Sequence, residues 1–352
     1  MSKSSCEPRL HVLPGLTPTS DARVEALSDS GWVAGASWED GIPYSAVVWS
    51  DPERVVDTGV GGVAVADGVA ISASAIDVNE SGTVAINRWK STPRLSISHE
   101  EALVWSQQDG ATVLPTSRYR PRASVTAIND EGDVLGHVRG RGHGSVPVIW
   151  TDGERLRLPV PRHDKAYGTD INNDGLIVGS YWGRYGTAGS WTWDGGPKLM
   201  PLRPTDTTAV TAATDVDDSG LIIGGQHVGP GDAIRTILWR NPAASPVRLM
   251  RIRTVDLHNS GYLAAVEPGF RGYGATAYIG HRRDGGIKAR LPQPSVPDGS
   301  LGWSNVYAAA VARGASPFAP GGGVTVGGFA QDFDSMTSQA VLWTCSQTWL
   351  NP

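Results

Sequence analysis

Residues 169–179 read TDINNDGLIVG, and close variants of this phrase recur along the chain. TAINDEGDVLG begins at Thr126, ATDVDDSGLIIG at Ala213, AIDVNESGTVAI at Ala75 and TVDLHNSGYLAA at Thr254, with a looser ALSDSGWVAG from Ala26. Self-similarity at a period of a few tens of residues marks a solenoid, a propeller or an array. An alternating run first ends in an Asp-(Ile/Val/Leu) step, as at Asp77-Val78, Asp170-Ile171, Asp215-Val216 and Asp256-Leu257. A polar turn then closes on Gly82, Gly132, Gly175, Gly220 or Gly261, and an apolar strand follows. After a variable loop, another strand ends in Trp49, Trp105, Trp150, Trp193, Trp239 or Trp343. A tight turn and a strand ending in Leu-Pro complete the unit, as at Leu114-Pro115, Leu158-Pro159 and Leu291-Pro292.

Four short strands joined by hairpin turns make one propeller blade. Seven copies are counted, at about 24–57, 73–115, 124–159, 167–202, 212–250, 253–292 and 305–345, with 346–352 as a tail. The reading is therefore an all-β, single-domain, seven-bladed β-propeller of four-stranded antiparallel blades. The seventh copy stops after Trp343 without its Leu-Pro strand, and residues 9–14, RLHVLP, supply that phrase. The N-terminal segment is expected to be the outermost strand of the last blade. This brings Cys6 and Cys345, the two cysteines of the chain, to the two sides of one turn. They are a disulfide candidate, with two reduced thiols as the alternative.

The phrase resembles the HAF repeat of bacterial proteins described as probable extracellular repeat proteins, whose core reads roughly Ala-x-Asp-Ile-Asn-x-x-Gly-x-Val-Val-Gly. The resemblance spans nearly the whole chain and implies architecture, not activity, because one fold hosts many functions.

The 352 residues carry 30 Lys+Arg against 35 Asp+Glu, a formal charge of −5 with no basic tract. Neither nucleic acid nor a membrane is an expected partner. No apolar run approaches membrane-spanning length. The opening MSKSSCEPRLHVLPGL has no apolar signal core, so a cytoplasmic protein is expected, or an exported one if a signal has been removed. Asp170-x-Asn172-x-Asp174-Gly175 opens like a calcium loop, but Tyr181 stands where a bidentate Glu is required. No metal and no cofactor are expected.

The long, dissimilar loops fall between second and third strands and between blades, and such loops carry function. Seven residues past the turn glycine stand Trp38, Trp89, Arg139, Trp182, His227 and Pro268. Three Trp at one register are expected to ring one end of the central channel and to wall a small-ligand pocket. The expected activity is cofactor-independent acid/base chemistry on a partly apolar or aromatic metabolite: cyclisation, elimination or isomerisation. His227 is the candidate base, with Asp332 or Glu267 assisting. Arg88 or Arg139 is expected to hold an anionic group, and Tyr181 and Gln226 to adjoin the Trp wall. A non-catalytic ligand- or carbohydrate-binding propeller and a protein-interaction scaffold are the alternatives. The oligomeric state is left open, a monomer being sufficient.

Overall fold

The computed structural model describes the chain except residues 1–6, 41, 66–67, 93–94, 120, 140–143, 161–164, 183–187, 205–209, 228–234, 251, 268–274, 283–285, 295–304, 314–322, 333–336 and 346–352. Seven antiparallel sheets are present among the described residues, and they follow one another in chain order. Strand β1 (Arg9–Val12) precedes the first blade, which is β2 (Asp21–Leu27), β3 (Val33–Trp38), β4 (Ser45–Asp51) and β5 (Arg54–Gly61). The second blade is β6 (Val63–Val65), β7 (Val69–Val78), β8 (Val84–Thr92), β9 (Leu95–Ser106) and β10 (Gly110–Val113). The third is β11 (Arg122–Ile128), β12 (Val134–Arg139), β13 (Val146–Thr151) and β14 (Glu154–Arg157). The fourth is β15 (Lys165–Ile171), β16 (Ile177–Trp182), β17 (Ala188–Trp193) and β18 (Met200–Pro201). The fifth is β19 (Val210–Val216), β20 (Ile222–His227), β21 (Arg235–Trp239) and β22 (Val247–Met250). The sixth is β23 (Arg253–Leu257), β24 (Tyr262–Glu267), β25 (Thr276–His281) and β26 (Gly286–Arg290). The seventh is β27 (Asn305–Arg313), β28 (Val324–Asp332) and β29 (Thr337–Cys345), with β1 as its outer strand.

β1 pairs antiparallel with β29, Leu10 opposite Trp343, so the first strand of the chain closes the ring through the last blade. Blade 2 departs from four strands: β6 adds to the free edge of β7, and β8 and β9 continue as a longer hairpin. Each seam between blades holds its own apolar cluster. Ala73, Ala75 and Ile86 of blade 2 pack with Ala34 and Val48 of blade 1. Leu13, Ala340 and Leu342 of blade 7 pack with Val24 and Trp49 of blade 1, which closes the circle of seams. Small residues face large ones at these seams, so the sheets approach closely enough to exclude water.

The repeated Trp is a seam filler with a polar tether. Trp49, Trp150, Trp239 and Trp343 are buried at 2% exposure or less. Their indole N–H groups donate to the carbonyls of Pro14, Pro115, Arg203 and Pro292, at 2.7–2.8 Å, each at the end of the preceding blade's outer strand. Trp49 reaching Pro14 repeats the relation of Trp150 to Pro115, a second mark that residues 9–14 belong to blade 7. In blade 4 the deepest indole is that of Trp191, while Trp193 bonds Gly196 O at its own turn.

The innermost strand of each blade carries one bulged residue, Glu25, Ile76, Thr126, Thr169, Thr214, Val255 or Ala309. A bulge bends the strand and increases its twist. At Gly136 on β12 a Cβ would stand 2.1 Å from Ser124 O and 2.8 Å from the Trp150 ring, so only glycine lets β12 and the indole share that space. Cys345 is buried and takes part in a disulfide, whereas Cys6 lies outside the described residues.

Candidate functional site

The repeated phrase is used up in fastening blades to one another. Each inner-strand Asp accepts the backbone N–H of the next Asp-bearing or Ala-bearing blade. Ile128 N donates to Asp77 Oδ2 at 2.8 Å, Val216 N to Asp170 at 2.8 Å, Leu257 N to Asp215 at 2.5 Å and Val311 N to Asp256 at 2.6 Å. Two residues on, an Asn caps its own turn and reaches across the seam. Asn79, Asn129 and Asn172 accept Thr83 N, Asp133 N and Leu176 N, and they donate to the carbonyls of Asn129, Asn172 and Asp217. The next residue closes an outer belt: Glu80 N, Asp130 N, Asn173 N and Asp218 N donate to Asp130, Asn173, Asp218 and Asn259. Asp170-Asn172 therefore serves the blade seam and not a calcium loop.

The sixth blade varies this belt. His258 stands in place of Asn, its Nδ1 accepting Ser260 N at 3.0 Å and lying 2.6 Å from Ser260 Oγ. Its Nε2 lies 2.8 Å from both carboxylate oxygens of Asp29, in blade 1. Ser260, His258 and Asp29 thus line up as a relay. The register argues against a nucleophile, because Ser81 and Ser219 bond Asn79 Oδ1 and Asp217 Oδ1 in the same way. Ser260 is the turn hydroxyl of its copy, and His258 ties blade 6 to blade 1 past blade 7.

Two polar cavities lie on the axis. One, about 190 Å³, is lined at the bulge level by Glu25, Asp77, Thr126, Thr169, Asp170, Thr214, Asp215 and Asp256. The other, about 180 Å³, opens between the turns that carry Asn79, Asn129, Asn172 and His258. They share Asp170 and Asp256 among their lining residues. Burial pushes Asp77 up to about 8 against the pull of the Ile128 N–H, with the Asp170 and Asp256 charges adding to the rise. Asp215 is raised well above the usual carboxylate range, first by burial and then by the charges of Asp170 and Asp256.

Of the expected Trp ring, Trp38 and Trp89 are joined through a third aromatic residue. Neither axial cavity is lined by Trp38 or Trp89. Trp38 ends β3 opposite Asp21, and Trp89 on β8 stands opposite Ser72 and Glu100. Their link is Tyr44, whose ring lies edge-on to Trp38 at 4.7 Å between centroids and 6.2 Å from Trp89. All three rings are half-buried. The Arg23 guanidinium sits 5.9 Å from the Trp38 ring and 5.7 Å from Tyr44, close enough for cation–π attraction. Arg23 is also ion-paired with Glu25 at 2.5 Å. Burial pushes the Glu25 acid up and the Arg23 charge pulls it back.

Arg88 does not stand ready for an anion, because Glu101 Oε2 holds its Nε at 2.8 Å and its terminal nitrogen at 2.7 Å. His99 Nε2 lies 3.3 Å from the other oxygen of Glu101. Arg139 is exposed at the end of β12, and Asp332 is half-buried at the end of β28. Glu267 is exposed and accepts the Tyr278 hydroxyl at 2.8 Å, on its own blade. Tyr181 packs on the cluster between blades 3 and 4, and Gln226 is fully buried, which removes it from any solvent-facing wall. Trp182 and His227 are placed as the last residues of β16 and β20, and their side chains lie outside the described residues. The described set is thus Trp38, Tyr44 and Trp89 with Arg23 and Glu25. Tyr44, Arg23, Glu25, His99 and Glu101 escaped the register count because they sit on other strands. The available signal was a charged pair, Arg23 and Glu25, where other copies carry Ser124 and Thr126.

No family model matches the chain, and no curated protein matches it. Among solved structures it is similar to a prolyl endopeptidase, at 10% identity and a TM-score of 0.56, covering 92% of this chain and 50% of that one. Prolyl oligopeptidase B from Galerina marginata gives 11% identity and 0.53, over 93% of this chain and 51% of that one. The chain therefore spans about half the length of these enzymes. The β-propeller domain of the Trilobed protease from Pyrococcus furiosus gives 11% and 0.53 over 92% and 93% of the two chains. That domain is described as having an open velcro topology, whereas β1 pairs with β29 here. At these identities the likeness is one of fold.

Proposed function

We propose that the protein is a small-ligand-binding propeller that takes a neutral, ring-shaped ligand, such as a sugar, against Trp38, Tyr44 and Trp89. The observation that carries this reading is the contact of three half-buried aromatic rings across blades 1 and 2. Flat aromatic faces with a few polar groups are what such ligands use. The local charges favour a neutral ligand over an anion, since Arg23 is matched by Glu25 and Arg88 by Glu101. Membership of the HAF-repeat group belongs to the same proposal, as does the absence of a nucleic-acid partner.

Turnover of the ligand by acid/base chemistry is the second reading, and one pair favours it. His99 and Glu101 flank Glu100, the residue opposite Trp89, and form a His–carboxylate pair on that hairpin. Cyclisation, elimination or isomerisation would each need one such proton-transfer group.

The test is a titration with a panel of methyl glycosides and neutral aromatic metabolites, read by tryptophan fluorescence. Saturable quenching lost in both Trp38→Ala and Trp89→Ala, but kept in Trp343→Phe, is expected. No saturable response to the panel, or one unchanged in the two Ala variants, overturns the reading. Product formation that disappears in His99→Gln separates turnover from binding.

A further inference from the structure

Blade 7 carries an aromatic pair that ring closure does not require. Tyr307 on β27 stands directly opposite Phe329 on β28, and the two rings stack at 4.8 Å between centroids with 24° between their planes. Both are half-buried, on strands whose neighbouring Val306, Ala308 and Ala330 are at most 5% exposed. Tyr307 lies two residues before the bulge at Ala309. The same register holds Ser74, Ser124 and Ala212 in blades 2, 3 and 5, so a blade closes on its neighbours without a ring there. In blade 4 it holds Tyr167, whose ring lies 5.5 Å from that of the buried His137.

The stack is placed beside the aromatic site. Phe329 is opposite Ala340, and Ala340 packs with Ala22 and Val24 of blade 1. Directly paired residues share a face of the sheet, so the stack looks towards blade 1. Trp38 is opposite Asp21, which alternates with Ala22, so Trp38 and Arg23 belong to the other face of blade 1. The two aromatic groups therefore bracket the start of β2, one on either side. Ser338 N, two residues from Ala340 on β29, donates to Asp21 Oδ1 at 2.6 Å and holds that strand start against blade 7. Depth agrees as well. Glu25 and Ala309 line the same axial cavity, and Arg23 and Tyr307 each stand two residues nearer its loop end.

We propose that Tyr307 and Phe329 form a second ring platform and that the ligand is a neutral oligosaccharide, one sugar lying against Trp38, Tyr44 and Trp89 and the chain crossing the start of β2 to the stack. The inference rests on the reading of those three rings as a ligand site and adds a second subsite and a ligand class to it. A sugar ring has C–H groups on its faces and hydroxyls around its edge, so each platform takes a ring face while the hydroxyls stay in water. Charge along the path disfavours an acidic chain, because Asp21 and Glu25 flank Arg23 and Glu25 holds it. A peptide on the same path would need partners for its backbone N–H and C=O groups. The strand start offers few, since Asp21 O accepts Ser37 Oγ at 3.0 Å and the Asp21 carboxylate accepts Ser338 N.

The experiment uses the full chain and calorimetric titration with the methyl glycoside that binds at the Trp site, its neutral di- to hexasaccharide homologues, and neutral peptides. Affinity should rise with chain length by about tenfold, the upper end of what one aromatic stacking contact supplies. Tyr307→Ser, which restores the residue of blades 2 and 3, should bring the ratio of oligosaccharide to methyl glycoside affinity down to about one. Equal affinity for the methyl glycoside and its homologues overturns the second platform and leaves the first reading standing. A length-dependent gain kept in Tyr307→Ser, or binding of the peptides and of no sugar, also overturns it. No binding of any sugar overturns it together with the reading it rests on. If the variant does not fold, the wild-type ring protons of Tyr307 and Phe329 decide by NMR: they should shift with the oligosaccharide, and unmoved signals at saturation refute the proposal.

Discussion

Replacing Asn129 with Ala probes the fastening role of the repeated phrase most sharply. Asn129 is buried at 4% exposure. Its Oδ1 accepts Asp133 N at 2.9 Å, and its Nδ2 donates to Asn172 O at 3.1 Å across the seam between blades 3 and 4. Truncation leaves the Asp133 N–H without its acceptor and removes the seam bond to Asn172 O, which keeps the Gly175 N–H. The orphaned donor costs about 1–3 kcal/mol and the lost seam bond about 1 kcal/mol, so the loss should be about 2–4 kcal/mol. Asn173→Ala is the comparison. Asn173 accepts Asp130 N at 2.8 Å and donates to Asp130 and Asp218 at 2.7 and 3.1 Å, but on the solvated rim. Water replaces these partners, so its loss should be about 1 kcal/mol. Urea unfolding followed by the fluorescence of the 13 tryptophans measures both. An Asn129→Ala loss under about 0.5 kcal/mol, or one smaller than that of Asn173→Ala, would falsify the fastening argument.

Other outcomes follow from the same geometry. Asp77, raised to about 8 by burial, contributes stability that is lost as pH rises from about 4 through 8; Asp77→Asn should flatten the fall in urea midpoint between pH 5 and pH 9. His137 moves the opposite way. Burial and the Arg139 charge lower it to about 4 while it accepts Gly168 N, so its share is lost as pH falls from about 6.5 through 4. His137→Gln should lessen the acid-side drop in melting temperature. Gly136→Ala should cost about 3 kcal/mol or more, its Cβ meeting the fixed Ser124 carbonyl at 2.1 Å. Gly132→Ala, with φ +85° and nothing within 4 Å of its Cβ, should cost about 1 kcal/mol by thermal unfolding.

The ring was legible in sequence because its signals are periodic. Trp150, Leu158-Pro159 and the turn at Gly132 recur at fixed offsets, and the Leu13-Pro14 phrase stands where blade 7 lacks one. What periodicity does not disclose is which partner each residue meets. Ile128 N finds Asp77 at a separation of 51 residues and Val216 N finds Asp170 at 46, through variable loops that hide the correspondence. The Asp of the phrase therefore read as the end of a strand and not as a bridge. The site suffered from the same blindness. Trp38 and Trp89 were found by counting from the turn glycine, but Tyr44, which joins them, lies in a loop with no counterpart in other copies. Arg88 was read as an anion binder because Glu101 is 13 residues away on the next strand. Position 217 shows how the pattern tolerates exchange: Asp217 lacks the amide donor of Asn172, and Arg282 fills the gap at 2.7 Å.

Residue-resolved hydrogen exchange at Ile128, Val216, Leu257 and Val311, measured in mild acid, probes the interblade bridges themselves. These amides should exchange as slowly as core amides such as Val148, opening only when the whole ring opens. Exchange at those four positions as fast as in a solvated turn would mean that the aspartates do not hold the blades.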